Sequence, residues 1–366
     1  MRRRIYIIGI DHVIGKLVYL YDTMRDRYAV EPIYFTSDSS GFSKEYSLSS
    51  AIHYCSRLSA PFKIPWHLAL HRPVHVEIYL SRLSEVIIAG LASFVFSIPV
   101  VVVCRGSDLR GWESHRTGRK IVTTLVLRQA KLVLLKELYM RELIVEHRLC
   151  RTEKLVDIHN SVPAALLRQD KFDPQSNTFV FLNSFHPMRN VDVLLRAFRV
   201  VTDHRDEARL KLIGSTIGQK GFSPFDEAHE RALMALVDQL QIAPYVEILP
   251  FRPAAWTEVR AALAFVLPAD VVWLNNALLE AMAYGIPPIV SDTRGVDRII
   301  EHRGNGLICM VEPEALAEQL IFSLNHRSDM IKMSRNAKVT IQERFLTEGC
   351  AESLVSEYEC RVWARR

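Results

Sequence analysis

A chain of 366 residues with 49% hydrophobic and 24% charged side chains is globular rather than disordered, and its length suits two α/β domains better than one. The net charge of +5 is uneven: residues 1–175 carry 25 Lys and Arg against 17 Asp and Glu, whereas residues 176–366 carry 21 against 24, so the two halves are expected to meet different partners. No run reaches the ~18 apolar residues of a membrane span, and six cysteines without a CxxC pair argue against a disulfide framework or a zinc site and for a reducing, cytoplasmic compartment.

In chain order, the basic-then-apolar start MRRRIYIIGID reads as a buried first strand (4–10), not a signal peptide. Gly15 and Lys16 are expected in the loop leading to a helix over 13–28, a poor phosphate-loop signal without further glycines. EPIYFT (31–36), VEIYL (76–80) and the unbroken apolar run IPVVVVC (98–104) read as strands, the last buried on both faces. His67, His71 and His75 are spaced four apart, but Pro73 interrupts the helix and no Cys or carboxylate follows before Glu77, so no metal site is expected. CRGSDL (104–109) ends the most apolar strand and sets Arg105, Gly106 and Asp108 at a rim, either at a site or as a structural Arg–Asp pair.

The segment 116–136 holds Arg116, Arg119, Lys120, Arg128, Lys131 and Lys136 and no carboxylate. It reads as a surface for anionic lipid heads or as a solvated basic helix; no nucleic-acid motif accompanies it, and no nucleic-acid partner is expected. Residues 132–149 are strand-like then helical, 154–162 form a strand and turn, and the polar stretch 168–177 is the linker candidate. A second α/β series follows: strands at 178–184, 208–214, 245–251, 264–268, 286–291 and 306–311, helices at 191–204, 226–241, 256–263 and 276–284, and a helical tail from 312. Two Rossmann-like doubly wound parallel sheets are expected to face a central cleft, with ligands at the carboxyl ends of the strands.

FVLPADVVWLNNALLEAMAYGIPPIVSDTRGVDRIIEHRGNGL (265–307) supplies a frame of Pro268, Glu280, Ala281, Met282, Ala283, Gly285, Pro287, Ser291, Asn305 and Gly306. With FLNSFHPMRNVDVLLRAF (181–198), HNSVP (159–163) and CRGSDL in the same order, this pattern resembles the retaining GT-B glycosyltransferases of family 4, the glycosyl transferases group 1. The resemblance implies an acceptor-binding domain over 1–172, a nucleotide-sugar domain over 173–348, and a last helix (349–366) returning to the first domain. It implies transfer from a nucleoside-diphosphate sugar to a glycan acceptor, expected to be lipid-linked, in polysaccharide or glycoconjugate synthesis, with retained configuration, no metal and no cofactor beyond the donor. Peripheral membrane contact through 116–136 fits such an acceptor.

The same resemblance assigns donor contacts to Asn183, Ser184, Arg189, Phe251, Asn275, Asn276, Ala277 and Glu280, with Glu280 on the ribose. Catalytic support falls on Arg189, Arg105 and Asp108, and acceptor or loop roles fall on Gly15, Lys16 and Gly106. A helix starting near Asn275 would aim free N–H groups at a diphosphate. Two positions depart from the family: its arginine falls on Ser184, and the first glutamate of its Glu-x7-Glu pair falls on Val272. These departures keep two alternatives open, a catalytically silent GT-B-like partner subunit and a sugar-nucleotide epimerase.

Overall fold

Strands covered on both faces must read as unbroken apolar runs, and β5 (Val100–Cys104) has all five residues buried. In the computed structural model, the described residues are 3–9, 14–36, 51–54, 59–80, 83–105, 108–215, 217, 224–250, 252, 255–273 and 275–364. The chain divides into two units, Met1–Ser161 with Thr347–Arg366, and Val162–Leu346.

The first unit holds a seven-stranded parallel sheet ordered β3-β2-β1-β4-β5-β6-β7, with β1 at Arg3–Ile8, β2 at Val30–Thr36, β3 at Ala51–Tyr54, β4 at His75–Tyr79, β6 at Leu132–Leu135 and β7 at Leu155–Asp157. Its helices are α1 (Ile14–Tyr28), α2 (Ala60–His71), α3 (Leu83–Val95), α4 (Thr117–Gln129) and α5 (Leu138–Glu146). Alternate strand residues point to opposite faces. Tyr6, Ile8, Val76, Ile78 and Val102 therefore pack under α2–α5, while Ile5, Ile7, Val101 and Val103 pack under α1 and the terminal helix Thr347–Arg361.

That second face contains a buried carboxylate. Glu77, fully buried in β4, accepts from Tyr358 Oη at 2.6 Å and from Tyr21 Oη. His75 Nε2 lies 3.3 Å from the same carboxylate, and His75 Nδ1 is 2.9 Å from the Trp363 indole nitrogen. An indole N–H only donates, so His75 carries its proton on Nε2 and donates to Glu77. Burial pushes the Tyr21 and Tyr358 phenols well above their ordinary pKa, which keeps them as donors. Three side chains from three elements, with Trp363 behind His75, thus satisfy one charge that would otherwise be costly to bury.

Two expectations change in this unit. Segment 116–136 is not one surface: α4 ends at Gln129, and Leu132–Leu135 form a buried strand. Lys136 beyond it donates to Asn160 Oδ1 at 3.0 Å. Gly15 and Lys16 lie in the first turn of α1, not in the loop before it.

The second unit is a six-stranded parallel sheet ordered β10-β9-β8-β11-β12-β13, with β8 at Thr178–Leu182, β9 at Arg209–Ser215, β10 at Val246–Pro250, β11 at Ala264–Leu267, β12 at Pro288–Ser291 and β13 at Leu307–Cys309. Its helices are α6 (Val191–His204), α7 (Pro224–Gln239), α8 (Asn276–Ala283), α9 (Pro313–Asn325) and α10 (Arg327–Arg344). In α6, Val191, Leu194, Leu195, Phe198 and Val201 form the buried stripe that helical spacing demands.

The unit begins at Val162, before the expected boundary at 172, because the polar stretch taken for a linker is bonded into this sheet's surroundings. Lys171 N donates to Tyr284 O, Ala262 N to Lys171 O, and Asp173 N to Ala262 O. The same pairing prevents the helix expected over 256–263: the helical part is one 3-10 turn, Ala255–Glu258, and Ala262 bridges to Phe172. The strand order reverses between β8 and β11, which makes their carboxyl ends the crevice of the sheet.

Candidate functional site

Two loops leave that crevice, 183–190 after β8 and 268–275 after β11, and they are tied to each other. Asp270 N donates to Met188 O at 3.0 Å. Asn190, in the left-handed region at φ 50°, donates from Nδ2 to Pro268 O at 2.8 Å and to Asp270 Oδ1 at 2.7 Å. Arg189 donates from Nη1 to Val271 O at 3.2 Å. The floor is set by Gly214, at φ 141°, where a Cβ would fall 1.8 Å from Asn183 O, so only glycine permits this approach. Asn183 donates its N–H to Ile213 O at 3.1 Å and accepts from Ser184 N at 2.9 Å.

Arg189 is a cation at this crevice. Burial lowers its pKa and the Asp270 carboxylate opposes that shift, and a guanidinium stays charged at neutral pH. Ser184, where the family pattern has arginine, is exposed and uncharged. Helix α8 begins where the motif placed it: Asn275 is the N-cap, its side chain accepting from Leu278 N at 3.2 Å. The first amides of a helix have no intrahelical partner, so those of Asn276 and Ala277 form the positive end. Among the described residues, the buried Oδ1 of Asn276 has no hydrogen-bond partner.

Glu280, one turn into α8, is half-buried, and its Oε2 accepts from Trp256 Nε1 at 2.7 Å. Trp256 is itself packed, with ring centroids 5.3 Å from Tyr284 and 6.0 Å from Phe265. Sequence reasoning missed Trp256, because nothing in FRPAAW pairs it with a residue 24 positions later. Val272 is fully buried in the core. The position of the family's first glutamate is therefore a packing position here, and no carboxylate reaches out from it. The neighbouring Trp273 ring has the Arg298 guanidinium 6.0 Å from its centroid, a second cation the sequence did not single out.

The structure thus gathers Asn183, Ser184, Arg189, Asn275, Asn276, Ala277 and Glu280 on the loops and helix that follow β8 and β11. Phe251 and Gly106 lie outside the described residues. Arg105 and Asp108 belong to the first unit and hold one another: Arg105 N donates to Asp108 Oδ2 at 2.8 Å, and its Nε is 3.8 Å from the same oxygen. Desolvation raises the Asp108 pKa against the pull of Arg105. Asp108 is buried, and its carboxylate is held by the Arg105 amide. His75, the last of the histidine row, is committed to Glu77 and Trp363 and not to its neighbours in that row.

Two concavities compete with this crevice. One of about 660 Å³ lies at the amino ends of β8, β9 and β10, among Thr178, Arg209, Lys211 and Glu258, at the opposite end of the strands. A smaller one of about 60 Å³ in the first unit is lined by Lys136, His159, Cys350 and Glu357. Burial pushes the Cys350 thiol up to about 11, so it is a thiol and not a nucleophilic thiolate at neutral pH.

Residues 165–340 match the family model of the glycosyl transferases group 1. The chain is 24% identical over 273 residues to an uncharacterized glycosyltransferase of Haemophilus influenzae, covering 72% of each chain. It is 30% identical over 193 residues to the D-inositol 3-phosphate glycosyltransferase of Streptomyces avermitilis, covering 51% of this chain and 40% of that protein. In structure it is similar to Anabaena Alr3699/HepE in complex with UDP-glucose, with a TM-score of 0.79 at 14% identity over 98% of this chain and 99% of that one. A glycosyltransferase from Rickettsia africae gives a TM-score of 0.80 at 11% identity over the whole of both chains.

Proposed function

We propose that this chain, which has the GT-B fold and whose residues 165–340 match the glycosyl transferases group 1 model, is a member of that family and moves a sugar from a nucleoside-diphosphate donor to a glycan acceptor. The observation that carries the reading is the convergence, at the strand-order reversal of the second unit, of an open helix N-terminus, a half-buried arginine and an indole-held carboxylate. The α8 amides and Arg189 receive the diphosphate oxygens. Glu280 accepts from the ribose hydroxyls while Trp256 fixes its rotamer. The unpartnered Asn276 Oδ1 accepts from a hydroxyl of the donor.

Transfer proceeds with retention by attack on the face the diphosphate leaves. The acceptor oxygen bonds to the anomeric carbon, the bond from that carbon to the diphosphate oxygen breaks, and the acceptor proton passes to the departing diphosphate. Arg189 and the helix end stabilise the charge that develops there, which is the main electrostatic assistance such a reaction needs. Charge on the diphosphate is met by side chains and amides, so turnover is expected to persist in excess EDTA. The acceptor we favour is lipid-linked. A uridine nucleotide is the first donor to try, because the similar Anabaena structure holds UDP-glucose.

The test is a thermal-shift panel of UDP, GDP and ADP with wild type and Glu280→Ala. A ligand bound only by the native state raises Tm. One nucleotide shifting wild type and not the variant supports the donor site; no shift with any nucleotide removes it. Ser184 and Val272 favour a second reading, a partner subunit without turnover, which predicts that no donor is consumed with any acceptor.

A further inference from the structure

Helices that cover a sheet normally turn a polar face outward. Three helices of the first unit do not. On α2, Phe62, Trp66 and Leu70 recur every fourth residue and are 77%, 68% and 61% exposed, although Ile64 and Leu68 of the same helix are buried. On the adjacent α3, Leu91 and Phe94 stand out in the same way, Phe94 at 73%. On α4, next in the layer, Ile121 and Leu125 form the outer stripe, and Arg128 continues it one turn further. Isolated exposed apolar residues are ordinary, but a set concentrated on adjoining helices marks an interaction surface.

The charges on these helices have one sign. Neither α2 nor α4 contains an Asp or Glu, and the one acid of α3, Glu85, is buried. Lys63, Arg116 and Arg128 are exposed on or beside the same helices. Arg128 also lines a concavity of about 390 Å³ with Arg148, Cys150, Arg151 and Lys154, and no carboxylate contributes to that lining.

We propose that the outer face of α2, α3 and α4 docks on an anionic lipid bilayer, with the aromatic ridge in the acyl–headgroup boundary and the Arg128–Arg148–Arg151–Lys154 concavity on a lipid phosphate. Exposed carboxylates stand nearby, Glu113 beside Lys120 and Glu153 beside Arg151, but none lies on the three helices' outer faces, and an aromatic and aliphatic ridge whose own helices expose only cations has the chemistry of an interfacial helix surface. No helix of the described residues is long and apolar enough to cross a membrane, so the unit lies on the bilayer. A second copy of this chain is the poorer occupant, since a two-fold pairing of this face would set its cations against one another. The surface belongs to the first unit and makes no use of the donor crevice, so it stands or falls separately from sugar transfer.

The experiment is sedimentation of the full chain with phosphatidylcholine vesicles, with and without phosphatidylglycerol, using wild type, Trp66→Ser/Phe94→Ser and Lys63→Glu/Arg128→Glu. Wild type is expected to bind the anionic vesicles and not the neutral ones. The aromatic pair is expected to weaken partition roughly tenfold, and loss of each cation roughly fivefold. Unchanged Tm and an unchanged nucleotide-induced shift in both variants separate docking from folding and from the donor site. Quenching of wild-type fluorescence by brominated lipid, reduced in Trp66→Phe, is the positional signature. Equal binding to both vesicles, no binding, or full binding by both double variants would overturn the proposal. So would a light-scattering mass of a dimer in which Trp66 is shielded from aqueous quencher.

Discussion

Trp256 donates to Glu280, and that contact separates two consequences of changing residue 280. Glu280→Ala removes the proposed ribose acceptor and strands an indole N–H. Donor affinity is expected to fall about tenfold to hundredfold, and stability by about 1–3 kcal/mol. Glu280→Gln keeps an acceptor for the indole, so urea unfolding should be close to wild type while titration calorimetry still shows weakened nucleotide binding. Equal stability losses in the two variants would sink this division. Val272 is a different case: it is fully buried, so Val272→Glu sets an uncompensated carboxylate in the core. It is expected to cost roughly 3–5 kcal/mol, read as a drop in Tm, and to restore no donor contact. Asp108 has a folded pKa raised by desolvation. Between its unfolded and folded values the native state binds the extra proton, so this group lowers stability as pH rises through that window. The wild-type minus Asp108→Asn difference in stability should therefore become less favourable from acid toward neutral pH, and a difference that improves with pH would contradict the assignment.

At the scale of elements, the Glu77 network holds the terminal helix to β4 and α1. Tyr358→Phe and Tyr21→Phe should each cost about 1–3 kcal/mol, with a double-mutant coupling above about 0.5 kcal/mol because both donate to one carboxylate. Additive losses in denaturant unfolding would show that the two phenols act independently. Apolar runs such as VVVVC and the stripe of 191–204 were legible in the sequence, because burial on both faces, or on one helical stripe, leaves a direct pattern. The start of α8 was legible from Asn275 and the apolar residues behind it. Helix α3 and the start of α2 were not, because outward Phe62, Trp66 and Phe94 mask the polar half of the helical period. Nor was the 3-10 turn at 255–258, whose limit is set by pairing of Ala262 with the distant Lys171. The links that join Asn190 to Asp270 and Trp256 to Glu280 are tertiary, and no local period carries them.

At the scale of the molecule, the first unit is discontinuous: the chain leaves it after Ser161 and re-enters at Thr347. The second unit closes its own ends, with Val162 N donating to Phe345 O at 2.9 Å. A chain stopped at residue 346 keeps every strand of both sheets but lacks the helix that covers Ile5, Val101 and Val103. Scanning calorimetry of that truncation should show the transition of the first unit lost or strongly lowered while a second one persists; two unchanged transitions would refute the role given to the helix.

This discontinuity has a consequence for biosynthesis. A nascent chain exposes β1, β4 and β5 early, yet the residues that seal one face of their sheet follow the whole second unit in sequence. At roughly 5–20 residues per second, synthesis of the intervening unit takes about 10–40 s, during which Glu77 lacks Tyr358 and the apolar face is open. Until the sealing helix has emerged the first unit cannot complete its core, and premature termination anywhere in the second unit yields a product with an uncovered sheet.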